Sequence, residues 1–178
     1  MGPVHEWQGL VHAARQATWT ASAYGVTAVR VGLRGNGGRR TAASPGDERL
    51  AFVVGSPRSG TSFIGRALGS QPGWVDLGEV PPLKAAVPRL VGLPRSEQAE
   101  TVRRILQRIR TLALVRSLRG VEQNPETSFV LAGALLAYPN ATAVHVMRDG
   151  RDVVCSLLDR GWLRADRNAR DHHARRSR

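Results

Sequence analysis

Cysteine and lysine are almost missing from this chain. Its 178 residues include one cysteine, Cys155, and one lysine, Lys84. A single thiol excludes an intramolecular disulfide and leaves any metal site to histidines and carboxylates. No uninterrupted apolar run approaches the ~18 to 20 residues that a membrane-spanning helix needs. Residues 1–10 lack the basic start, apolar stretch and small-residue cleavage site of a secretory signal. The expectation is therefore a cytoplasmic protein without a membrane span. Aromatics make up only 5% of the residues and do not interleave with the arginines, which speaks against a base-stacking surface. What the chain does have is positive charge: 26 basic residues against 14 acidic ones, a formal net charge of +12. An Arg-, Ala-, Gly- and Val-rich vocabulary is what GC-rich coding writes. The charge suits a ligand carrying several phosphate or sulfate groups as well as it suits nucleic acid, so the motifs must decide.

The length predicts one core and one principal domain. Residues 1–47 read as a weakly structured lead-in, with a helix over roughly 5–17 and a Gly-, Arg- and Pro-rich linker over 32–47. Residues 48–163 carry the domain, and 164–178 form a basic tail with almost no large apolar residue, expected to be disordered. Within the domain, the apolar run 50–54 predicts a strand buried on both faces. A glycine-rich loop follows, and apolar spacing at Phe63, Ile64, Ala67 and Leu68 predicts a helix. A long helix is expected over 96–118, with Val102, Ile105, Leu106, Ile109, Leu112 and Ala113 inward and Arg103, Arg104, Arg108 and Arg110 solvated. A further helix over 128–137 and a strand over 141–147 come next. A last helix begins at Asp149 or Gly150 and should bury Val153, Val154, Leu157 and Leu158. Helices between apolar strands predict an α/β fold, a P-loop-like, mainly parallel sheet with helices on both faces.

The loop is the sharpest chemical signal. Gly55-Ser56-Pro57-Arg58-Ser59-Gly60-Thr61-Ser62 fits G-x-x-x-x-G-K-[ST] except that Thr61 replaces the lysine. Glycines allow backbone amides to turn inward, and the helix start adds unpaired N–H groups and the positive end of its dipole. Without the lysine, ordinary nucleoside triphosphate hydrolysis is disfavoured. Arg58 can substitute, since a guanidinium can donate to two anionic oxygens. Thr61 and Ser62 add hydroxyls.

The stretch GSPRSGTSFIGRAL, 55–68, resembles the 5′-phosphosulfate loop of the sulfotransferase family, especially its bacterial and tyrosylprotein-like branches. A second signature agrees: in VMRDGRDVVCSLL, Arg148 ends a strand and Ser156 follows eight positions later on the next helix. That is the family's 3′-phosphate pair. The resemblance covers about 50–163 and implies 3′-phosphoadenosine 5′-phosphosulfate (PAPS) as donor, without a metal. Arg58, Ser59, Gly60, Thr61, Ser62, Arg148 and Ser156 would then hold the donor, with a small molecule, carbohydrate or peptide supplying the hydroxyl or amine acceptor. Glu79 resembles the catalytic glutamate by position, and with Arg58 it forms the expected catalytic pair. Glu79 serves as general base if burial raises its pKa; alternatively it is an ion-pair partner holding Arg58 or another loop arginine in place. Asp76 is a weaker candidate base, and His145 is expected to pack within its strand. Gln123, in Glu122-Gln123-Asn124-Pro125, stands where the family carries lysine, so either activity is reduced or another cation compensates. The family domain normally continues with further strands and helices, so the chain is expected to be truncated and its sheet incomplete. The competing readings are a divergent P-loop kinase, which would require magnesium, and a noncatalytic anion-binding module.

Overall fold

The computed structural model describes residues 3–35 and 49–160, with side chains described from Thr18 onward. The elements run α1 (Pro3–Gly35), β1 (Leu50–Gly55), α2 (Thr61–Gly69), β2 (Trp74–Gly78), α3 (Pro81–Leu90), α4 (Arg95–Leu112) and β3 (Arg119–Glu122). A 3-10 turn (Pro125–Val130), α5 (Leu131–Ala137), β4 (Thr142–Val146) and α6 (Gly150–Asp159) complete them.

All four strands are parallel, in the order β2-β3-β1-β4. The fold is thus the expected α/β arrangement, P-loop-like, with helices on both faces. Strand β1 lies inside the sheet, and its side chains alternate between two apolar clusters. Leu50, Phe52 and Val54 join the large core with α1, α3, α4 and α5, while Ala51 and Val53 meet Ile64 and Leu68 of α2. The chain leaves β1 through α2 on one face and leaves β3 through α5 on the other. The crevice at the carboxyl ends of β1 and β3 is therefore a topological switch point, where α/β sheets bind ligands.

Three expectations change. The lead-in is not weakly structured: α1 extends to Gly35 and buries Tyr24, Thr27, Ala28 and Val31. Its apolar stripe of mostly small residues is a faint sequence signal that becomes a packing surface once α4 lies beside it. The rest of the proposed linker and the 164–178 tail lie outside the described residues. Prolines 81 and 82, which in the sequence read as a Pro-rich turn, open a helix, because a missing N–H costs nothing in a first turn. The arginines of α4 are not simply solvated. Arg110 is buried and donates to the carbonyls of Arg116 and Leu118, Arg103 donates to that of Ala137, and Arg108 lies over the Tyr24 ring.

The expected buried face of α6 is a further correction. None of its residues is buried, and Val154 and Leu158 are about half exposed. His145 likewise is exposed, because nothing described covers that side of β4, an edge strand. No helix among the described residues is long and apolar enough to cross a membrane.

Candidate functional site

The loop after β1 is built for close approach. A Cβ on Gly55 would lie 2.5 Å from the Val146 carbonyl oxygen, so only glycine allows the ends of β1 and β4 to meet. Ser59 then donates twice to the Ser56 carbonyl, from its amide at 3.1 Å and its hydroxyl at 2.6 Å, fixing the turn. Arg58 has φ 71°, a left-handed conformation that costs a non-glycine residue free energy. Gly60, at φ 104°, starts α2 without a side-chain cap. The first amides of that helix thus remain available for an anion. Thr61 is buried as the first residue of α2, and Ser62 beside it is exposed.

The residues singled out from distant parts of the sequence converge here. Arg58 Nε donates to Ser156 Oγ at 3.0 Å, and an Arg148 terminal nitrogen donates to the Arg58 carbonyl at 3.2 Å. Arg148 also approaches Asp152 at 3.7 Å, a loose surface pair of the kind that stabilises little. Asp149 caps α6 by accepting from the Arg151 amide at 2.8 Å. The result is two guanidinium groups, a serine hydroxyl and a helix N-terminus at one sheet edge.

Glu79 does not join that cluster through Arg58. Its carboxylate pairs with Lys84 at 3.3 Å and remains 45% exposed. Its ion-pair partner is Lys84, in place of the expected Arg58 or other loop arginine. Asp76 is occupied structurally: it accepts from Arg34 at 2.8 Å, the Gly78 amide at 2.7 Å and Gln123 Nε2 at 3.1 Å. Gln123 is itself buried, and a Cβ on Gly65 would strike its Oε1, so it lies beneath α2 on the face of Asp76.

A cavity of about 390 Å³ opens beside the loop, between Gly55, Ser56 and Pro57 on one side and Pro125, Glu126 and Phe129 on the other, with His145 at the β4 side. Behind it, Glu122, Asn124 and Thr127 have no exposed surface. Glu122 Oε1 accepts from the Asn124 amide at 3.0 Å, but Oε2 has no cationic partner. Burial, with smaller contributions from the neighbouring Glu79 and Glu126 charges, raises the Glu122 pKa to about 8, even though the hydrogen bond from the Asn124 amide pulls the other way. At neutral pH it is a neutral acid.

The sequence pattern assigns no site role to Glu122, Glu126 or Lys84. A charged residue ending a four-residue strand gives no sign of burial, but a lone lysine among arginines was a visible signal. No family model, curated protein or solved structure matches this chain.

Proposed function

We propose that this chain binds PAPS and serves as the donor-binding part of a sulfotransferase. The observation that carries the reading is the meeting of Arg58, Arg148 and Ser156 at the uncapped start of α2. In this reading the loop amides, Thr61 and Ser62 hold the 5′-phosphosulfate. Arg148 and Ser156 hold the 3′-phosphate, and Arg58 spans the two because it already bonds Ser156. Arg58 would then stabilise the charge that develops on the departing phosphate oxygen as the S–O bond lengthens. Glu79 takes the proton of a hydroxyl or amine acceptor, entering from the cavity side of the loop. The experiment is transfer of labelled sulfate from PAPS to a mixed panel of alcohols and amines, with water as the baseline acceptor. Label appearing in an acceptor, and disappearing with Arg58→Ala, supports the reading; absence of both transfer and donor hydrolysis by folded protein contradicts catalysis.

A second reading, a noncatalytic module that binds the same nucleotide, is favoured by two observations. Gln123 is committed to Asp76, and Glu79 is committed to Lys84. It predicts selective binding of adenosine 3′,5′-bisphosphate with no turnover.

A further inference from the structure

An anion held on the 55–62 loop lacks the ammonium group that this loop pattern ordinarily supplies, because position 61 is threonine. Position 123 offers only an amide, and that amide faces Asp76. The chain's sole ammonium side chain is Lys84, on the first turns of α3.

Lys84 is held by two carboxylates from different elements. Its Nζ lies 3.3 Å from Glu79 Oε2, just after β2, and 3.0 Å from Glu126 Oε1, on the turn after β3. Partial burial lowers its pKa, but the hydrogen bond it donates to Glu126 and the charges of both glutamates outweigh this, and the net shift is upward. Lys84 is therefore charged across the neutral range. Its side chain is 46% exposed, so these pairs are weak enough to exchange. Glu126 also lines the cavity that Gly55, Ser56 and Pro57 close from the loop side. The lysine thus lies one side chain removed from that cavity, behind Glu126, on a long, rotatable stem.

We propose that Lys84 supplies the cationic contact to the outermost anionic group of a ligand on the loop, leaving Glu79 as it does so. This role rests on the PAPS reading, in which that outermost group is the transferable sulfuryl. The bond from sulfur to the bridging oxygen breaks, and its electron pair stays on the phosphate of the bisphosphate product. The acceptor oxygen or nitrogen forms the new bond to sulfur, and its proton passes to the Glu79 carboxylate that Lys84 has vacated. Donor arrival and exposure of the base are thereby one event. Lys84 substitutes in charge for the missing lysines without occupying either of their positions.

A single lysine makes the test direct, since protein carrying isotope-labelled lysine gives one side-chain ammonium signal. That signal is followed by NMR while the full chain is saturated with adenosine 3′,5′-bisphosphate or with PAPS, and calorimetry records both affinities. The expected result is a shift with PAPS that the bisphosphate does not produce. Lys84→Ala should weaken PAPS about tenfold while changing bisphosphate affinity less than about twofold, and Lys84→Arg should restore most of the difference. Thermal melting of both variants checks that they fold. Binding of both nucleotides with the same lysine signal, or equal loss of both in Lys84→Ala, overturns the role of Lys84 and leaves the donor site standing. Binding of neither nucleotide to folded wild-type protein overturns the donor reading, and the role of Lys84 falls with it.

Discussion

In the large core, Phe52 of β1 and Leu106 of α4 have no exposed surface at all; one strand away, on β4 and α6, no side chain is fully buried, and Met147 between them is 82% exposed. The first region joins helices α1, α3, α4 and α5 to one face of the sheet in a continuous core. The second contributes Arg148 and Ser156 to the candidate site yet adds only Val144 and Val146 to a small cluster. The packed core and the candidate site therefore draw on different parts of the chain. The contacts that β4 and α6 make to the candidate site are charge and hydrogen bonds between exposed or half-buried groups, which weaken with salt, whereas the core rests on burial, which salt does not screen.

The largest expected effect belongs to the core. Leu106→Ala should lower the unfolding free energy by about 4 kcal/mol, as a cavity in a fully packed site does. Denaturant titration measures it, and a loss under ~1 kcal/mol would mean that the core is looser than its packing implies.

The next effect is a pH dependence from Glu122. Its pKa is about 8 in the folded chain against 4.5 for the free carboxyl. Above pH 4.5 the unfolded chain gives up this proton while the folded chain keeps it, so stability falls as pH rises through that window and levels off above 8. The slope from this group approaches about 1.4 kcal/mol per pH unit at most. Glu122→Gln keeps the acceptor for the Asn124 amide and removes the slope. The variant should gain on the wild type by roughly 3 kcal/mol between pH 5 and 8, and parallel stability curves would contradict a buried neutral acid.

At the site, Arg58→Ala should weaken adenosine 3′,5′-bisphosphate by about 2 kcal/mol, or some thirtyfold, with little change in melting temperature. A large loss of stability would instead make Arg58 a structural bond between the loop and Ser156. The smallest effect is Leu158→Ala in α6, expected to cost no more than about 0.5 kcal/mol because that side chain is half exposed. A cost comparable to that of Leu106→Ala would erase the contrast between the two regions.

The elements that the sequence made legible were those whose chemistry is local. The run from Leu50 is apolar at every position because β1 is covered on both faces, and the glycines of its loop answer a backbone requirement at Gly55 and Gly60. The spacing of Arg148 and Ser156 was visible for the same reason, since a strand end and the next helix are joined by a short turn. Strands β2 and β3 were not legible. Five residues with Asp76 among them, and four bounded by Arg119 and Glu122, have neither the length nor the apolar alternation of a strand. The charge of Asp76 is accommodated by a partner far along the chain, Arg34. The same holds for Lys84, whose two carboxylates come together only when α3 packs beside the turn after β3.

The most direct test of the donor site is calorimetric titration of adenosine 3′,5′-bisphosphate, with AMP and ADP as controls, into wild-type protein and Arg148→Ala at moderate salt. The proposed site predicts that wild-type protein prefers the bisphosphate to both controls, and that Arg148→Ala removes the preference while melting as the wild type does. Equal affinity for the three nucleotides, or a preference that survives in Arg148→Ala, would contradict it.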